Sequence, residues 1–326
     1  MNRREFAVKT TLAGSGMLAL GLRNAKTFAK PAGKSMPVTS LGRTGEKVSM
    51  IGIGCGHWGH EKVSPEDVTQ LFDQALEAGI NYFDTAPNYA DGISEKRLGD
   101  AMQGKRDQVF LVSKTESATY EGTWQLLEQS LENLQTDHID LLHLHNIGRE
   151  ERFADLDETF GKKGAMGALR EARKKGMIRY IGASGHLWPS RFHYMIDSGE
   201  IDVFMTAVNY VVQHTYDFEH KVWARAKDAD IGLVAMKVFG GREGDPGNYR
   251  IPVEDYTAAL RYALSLDGIS SAVLGVTDAA QLEQALSVME QFQPLTEEEF
   301  LELSMKGLSI LQQQPDWRTA YGPPIT

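Results

Sequence analysis

Ile139-Asp140-Leu141-Leu142-His143-Leu144-His145 is a short apolar run that closes on a polar residue. Its length suits one buried strand. The same unit recurs on both sides: Ile80-Asn81-Tyr82-Phe83-Asp84 and Val109 to Lys114 before it, Arg179 to Ser184 after it. Helical patterns fill the gaps. Val68, Leu71, Phe72, Ala75 and Leu76 share one face of a helix that Ser64 and Pro65 open and Gly79 stops. Further helices are expected over Ser94–Met102, Thr123–Leu134, Gly164–Lys175, Pro189–Ser198, Phe218–Asp228, Val253–Ser265, Gln281–Phe292 and Glu297–Gln313. The remaining strands fall at Val203–Val208, Gly232–Val238 and Ser271–Leu274. Pro37 to Gly56 reads as a hairpin turning at Gly42-Arg43-Thr44-Gly45, then a buried strand over Val48–Gly54.

Strict alternation of strand and helix implies a parallel sheet. Eight such units in residues 37–326 fit a closed (β/α)8 TIM barrel, with the hairpin before it and an extra helix after it. An open doubly wound sheet is the competing reading. It wants G-x-G-x-x-G between a first strand and a first helix. Gly52, Gly54, Gly56 and Gly59 crowd that region, but Trp58 and His60 interrupt them and no helix opens at the required spacing.

Composition sets outer limits. Of the 326 residues, 42% are hydrophobic and 24% charged, as in an ordinary globular chain. Net charge is −10. Residues 1–29 hold five basic side chains (Arg3, Arg4, Lys9, Arg23, Lys26) and one acidic (Glu5). The remainder has 29 basic against 43 acidic residues, a charge of −14. Such a body repels phosphate backbones, so no nucleic-acid partner is expected. The single cysteine, Cys55, excludes an internal disulfide and a cysteine-built metal site.

The first residues read as an address. A charged start, a weakly apolar stretch from Thr11 to Leu22 and a small residue at Ala29 follow a secretory layout. The stretch is too short to span a bilayer, so no stable membrane insertion is expected. Arg3-Arg4 with Phe6 resembles a twin-arginine signal. Residues 1–29 are therefore expected to be a signal cleaved after Ala29, 30–36 a linker and 37–326 the barrel. The Tat translocase would be a transient partner and the periplasm the destination.

A barrel carries its chemistry at the C-terminal ends of its strands. Four consecutive strands end there in Asp84, Lys114, His145 and Ser184. Parity puts His143 on the same face as His145, one layer deeper, where it is expected to be a hydrogen-bonded structural group. Tyr89 follows Asp84 by five residues. A lysine beside a phenol favours the phenolate and should lower its pKa. Asp84 would hold Lys114 charged, Tyr89 would pass a proton to a carbonyl oxygen, and His145 would bond the same oxygen.

These motifs resemble the aldo-keto reductase superfamily over residues 37–315: Leu41-Gly42-Arg43-Thr44-Gly45 to Gly54, Phe83 to Tyr89, Val112-Ser113-Lys114, Ile139 to His145, and Ile178 to Ser184. The resemblance implies hydride transfer between NADP(H) or NAD(H) and a small carbonyl or alcohol, with Asp84, Tyr89, Lys114 and His145 as the catalytic tetrad. It implies cofactor contacts at Gly54, Asp84, Ser184, Lys237, Val238, Phe239, Gly240, Thr277, Gln281 and Gln284. Departures occur. Gly185 follows Ser184 where the family has Asn or Arg, and Thr206 stands where it has a glutamine. Gly275 and Gln281 replace the cations that one branch uses to grip a 2′-phosphate; Lys237 or Arg242 is left for that task. A redox-sensing or regulatory nicotinamide-binding subunit on the same barrel is the alternative reading. The loops Gly56–Ser64 and Asn146–Lys163 and the tail are expected to set the substrate, with Trp58, Trp188, Trp317 and Tyr321 as candidate walls.

Overall fold

The computed structural model describes residues 36–148, 151–241 and 251–313. The signal, most of the linker, Arg242, Trp317 and Tyr321 lie outside these residues. A short antiparallel pair, β1 (Val38–Ser40) and β2 (Lys47–Ser49), precedes the barrel. Eight parallel strands follow: β3 (Ile51–Gly54), β4 (Tyr82–Asp84), β5 (Phe110–Thr115), β6 (Ile139–Leu144), β7 (Ile178–Gly185), β8 (Val203–Ala207), β9 (Gly232–Met236) and β10 (Ile269–Leu274). They close in sequence order, with β10 pairing β3 through Ala272–Ile51 and Leu274–Ile53. The doubly wound alternative is thereby excluded.

The helices are α1 (Pro65–Glu77), α2 (Ile93–Ala101), α3 (Tyr120–Asn133), α4 (Leu156–Phe160), α5 (Ala165–Lys175), α6 (Pro189–Ser198), α7 (Phe218–Lys221), α8 (Trp223–Asp228), α9 (Tyr256–Ser265), α10 (Ala279–Glu290) and α11 (Glu297–Gln312). Ser64 caps α1 through a reciprocal bond with Asp67, and Thr296 caps α11 the same way with Glu299. Two expectations shift. The helix expected over 218–228 breaks at Val222, where φ is −117°, and α4 forms inside a stretch taken as loop.

Alternation along the strands makes two cores. Inward residues Tyr82, Phe110, Val112, Leu141, Val203, Met205, Val234 and Val273 fill the barrel, joined by Leu41 and Val48 of the hairpin. Outward residues such as Phe83, Leu111, Leu142, Phe204 and Leu233 pack against the helices. The hairpin thus plugs the N-terminal end, and the C-terminal end is left for chemistry. No helix among the described residues is long and apolar enough to cross a membrane.

Candidate active site

Strands β4 and β5 bring Asp84 and Lys114 together. Lys114 Nζ donates to Asp84 Oδ1 at 2.6 Å and to the Thr85 carbonyl at 2.7 Å. Both side chains are almost fully buried. The ammonium lies 4.9 Å from the centre of the Tyr89 ring. Tyr89 in turn meets His145 edge-to-face, ring centres 5.9 Å apart. Asp84 and Lys114 at strand ends, His145 directly after β6 and Tyr89 on its loop therefore form one contiguous group, as the spacing predicted.

The electrostatics differ from expectation in one respect. Burial pushes the Tyr89 phenol above its ordinary pKa, and Lys114 offsets this only in part. The neighbouring ammonium alone would lower the value; desolvation of the buried phenol reverses the sign. Burial also pushes Asp84 up, against the pull of Lys114 and Lys237. Burial acts to lower Lys114, but Asp84 and Tyr89 outweigh it and keep the ammonium charged. Tyr89 is thus protonated at neutral pH, with a cation at its side.

His145 Nδ1 lies 2.9 Å from Glu116 Oε1, with the carboxylate off the axis of a straight N–H bond. Burial, with Lys114 and Arg152 opposing Glu116, lowers its pKa to about 4, so it is neutral at pH 7. A neutral imidazole still carries one N–H donor and one lone pair, compatible with the expected bond to a substrate oxygen. His143 was expected to be hydrogen-bonded. It is fully buried and neither ring nitrogen has a partner, while the ring packs against the space above Gly182 where a side chain would sit. Burial holds its pKa well below the usual histidine value.

Glu116 is the residue that sequence reading missed. It takes Asn88 Nδ2 at 2.5 Å and Arg152 Nη1 at 2.5 Å besides His145. Burial raises its carboxyl, but His145 and Arg152 outweigh that and hold it below the ordinary value. Its place two residues beyond Lys114 was the only available signal.

Most cofactor candidates follow β9 and β10 or end β3, while Asp84 ends β4 and Ser184 lies on β7. Lys237 has φ of +59° and Gly240 of +86°, and the Gly240 amide donates to the Lys237 carbonyl at 2.8 Å. Buried Asn209 pins that carbonyl with Nδ2 at 2.9 Å. Val238 is buried, and Phe239 stacks on Tyr256 at 4.3 Å, so these two brace the loop. Gly54 ends β3 beside Val273 and Leu274. Ser184 Oγ accepts the Asn146 amide at 3.2 Å. Gln281 is engaged locally: its Oε1 accepts the Thr277 amide at 3.0 Å and its Nε2 donates to Asp278 at 2.7 Å. Gln284 is exposed on α10. Thr206 accepts the Trp223 indole N–H at 3.1 Å. Trp58 is no wall of the mouth; it is buried and donates to the Val276 carbonyl at 2.8 Å. Trp188 is half-buried with φ of +55°. A cavity of about 960 Å³ lies between the 57–63 loop, α1 and the start of α10; it borders Thr277 and Asp278 but none of the tetrad residues.

The residues fit a nicotinamide nucleotide. Asp84 Oδ2 is buried without a partner, an acceptor suited to a ribose hydroxyl. Lys237 lies near enough to act on the Asp84 carboxyl and brings positive charge suited to a phosphate. Among the described residues no cluster of His, Cys, Asp and Glu can hold a metal ion.

Residues 50–244 match the sequence model of the Aldo/keto reductase family. L-galactose dehydrogenase of Arabidopsis thaliana is 27% identical over 290 residues, 78% of this chain and 89% of that protein. The holo form of an aldo-keto reductase from Bacillus halodurans superposes with a TM-score of 0.68 at 25% identity, covering 83% of this chain and 96% of that one. An aldo/keto reductase from Klebsiella pneumoniae, solved with NADP and acetate, superposes at 0.66 with 22% identity, covering 89% and 96%.

Proposed function

The chain belongs to the aldo/keto reductase family, and we propose that it is a nicotinamide-dependent oxidoreductase that interconverts an aldehyde or ketone with its alcohol, sugar-like alcohols included, with Tyr89 as the acid and base. The observation that carries this reading is the buried Lys114, bonded to Asp84 at 2.6 Å and lying against the Tyr89 ring. A bound NADP(H) or NAD(H) supplies or accepts the hydride. The protein supplies the proton. Tyr89 enters reduction protonated and ready to donate, and the Lys114 charge stabilises the phenolate as the proton leaves. Asp84 keeps that charge aimed. Lys237, Gly240, Thr277, Ser184 and Asp84 would hold the nucleotide. The L-galactose dehydrogenase relative supports a sugar-like substrate, and the NADP-bound Klebsiella structure supports the cofactor class.

Tyr89→Phe tests the assignment. Turnover should fall by ~10²–10⁴-fold, while quenching of NADPH or NADH fluorescence still reports binding. Unimpaired turnover would remove Tyr89 from the mechanism. Binding without turnover in the natural chain, across a panel of carbonyls and sugars, would favour a regulatory subunit instead.

Residues 1–29 are read as a twin-arginine signal that delivers the folded enzyme to the periplasm. Replacing Arg3 and Arg4 together by lysine should retain the full-length protein in the cytoplasmic fraction. Export unaffected by that change would overturn the reading.

A further inference from the structure

The Trp58 indole N–H donates to the Val276 carbonyl at 2.8 Å, across 218 positions of sequence. The amide of the same peptide unit, Thr277 N–H, donates to Gln281 Oε1 at 3.0 Å. The Val276–Thr277 peptide is therefore fixed at both of its polar ends. It follows β10 directly, in the segment read above as a nucleotide contact. Trp58 and Val276 are both buried, so a carbonyl deprived of the indole would be left short of a partner.

The tryptophan is anchored from the opposite side as well. Arg97 on α2 donates through Nη1 to the Trp58 carbonyl at 2.5 Å, the Val63 carbonyl at 2.6 Å and the His60 carbonyl at 3.2 Å. Ser94, three residues earlier on α2, donates to the Cys55 carbonyl at 2.7 Å. Gly59 lets this loop run against the residue after Tyr89: a Cβ there would come within 2.5 Å of the Ala90 Cβ. On its outer side the loop faces the cavity of about 960 Å³. Hydrogen bonds, rather than packing on that side, hold it in place. One chain of contacts thus runs from α2 through Trp58 to Thr277, passing beside the tyrosine.

We propose that Trp58 is a positioning residue for the nucleotide: its indole N–H sets the Val276–Thr277 peptide, and the loop that carries it keeps that peptide in register with the Tyr89 loop. This rests on the oxidoreductase reading above and adds a residue to its cofactor site. A binding group is only as well placed as the groups behind it. The part of Trp58 that matters is then the N–H, since any ring of similar size would fill the slot.

Trp58→Phe keeps a buried aromatic ring and removes the donor. The Kd and KM for NADPH or NADH, whichever the natural chain binds more tightly, should rise ~3- to 10-fold, and kcat should change less than KM. Arg97→Gln keeps the indole and removes the clamp on its backbone; the same Kd should rise by a smaller factor. The double variant should bind no more weakly than Trp58→Phe alone, because both changes act along one chain of bonds. In nitrogen-15 spectra of the natural chain the Trp58 indole N–H should shift when nucleotide is added. An unchanged Kd in Trp58→Phe, additive losses in the double variant, or an indole signal indifferent to saturating nucleotide would each overturn the proposal alone. Arg97→Gln, at a half-buried position, carries the test if Trp58→Phe does not fold: an unchanged Kd there overturns the proposal too. Failure of the natural chain to bind either nucleotide would overturn the oxidoreductase reading and this proposal with it.

Discussion

At the N-terminal end of the barrel Asp140 accepts from Arg106 at 2.8 Å, Arg179 at 2.6 Å and the Leu111 amide at 2.8 Å, so both its oxygens are occupied. At the C-terminal end Asp84, equally buried, meets Lys114 with one oxygen and leaves the other without a partner. The backbone does not repeat the contrast, since Gln135 and Asp230 before β6 and β9 also adopt φ of +52° and +53°. Around the hairpin the left-handed positions include glycines such as Gly42 and Gly45, where φ is +48° and +70°. At the mouth Asn146, Trp188 and Lys237 adopt φ of +60°, +55° and +59° despite their side chains. One end spends its polar groups on itself. The other leaves Asp84 Oδ2 and Asn146 Oδ1 buried without partners, acceptors that a ligand can use.

Removing the cation at the mouth should have the largest effect. Lys114→Met takes the charge from beside Tyr89 and leaves Asp84 buried alone. Turnover should drop by ~10²–10⁴-fold and stability by about 3–5 kcal/mol, read by steady-state rates and urea unfolding. A variant that kept its rate would make the two ends alike. Asp140→Ala is the counterpart at the closed end. It should cost about 2–4 kcal/mol while the rate per folded molecule stays within about twofold of wild type, since nothing reactive touches it. A large loss of rate without loss of stability would break the division of labour.

Acid should act through the mouth and the layer beneath it. His145 titrates at about 4 in the folded chain against 6.5 as the ordinary value, and His143 lies well below it. Between those values the unfolded chain binds more protons, so stability falls as pH drops from about 6.5 toward about 4. Unfolding midpoints across that range should show the slope, and His145→Gln should flatten part of it. A slope that His145→Gln leaves intact would assign the acid response elsewhere. The smallest change is expected at Arg43, whose guanidinium bonds Asp202 and the Gly199 and Ile201 carbonyls at the rim of the plug. Arg43→Ala should cost under ~1 kcal/mol by chemical unfolding, with no change in rate; a cost several times larger would show the plug to be the weaker seal.

The barrel was legible because each strand is a short apolar run between helices that carry their own start and stop signals, as Ser64 and Gly79 do for α1. Asp84, Lys114 and His145 were legible because each ends such a run. What escaped reading depends on contacts between distant loops. Glu116 in isolation looks like a solvated loop acid; it becomes a junction only when the loops of Asn88 and Arg152 close on it. Asn209 bonds a carbonyl 28 positions away. Trp58 looked like a wall because an aromatic in a loop carries no mark of the helix that will cover it. The pKa of Tyr89 moved opposite to expectation because desolvation depends on burial, which neighbouring letters do not encode.

The plug also orders events in time. Thr39 Oγ1 donates to the Ser270 carbonyl at 2.5 Å across 231 positions, and Ser270 Oγ returns a bond to Ser40 at 3.1 Å. A hairpin translated early therefore waits for a strand translated late. Closing so long a loop carries a large entropic cost and slows folding. Anchoring of β1 accordingly reports that the last strand has arrived, and a chain stalled before β10 lacks this anchor, although Arg43 can already hold the hairpin turn to residues 199–202.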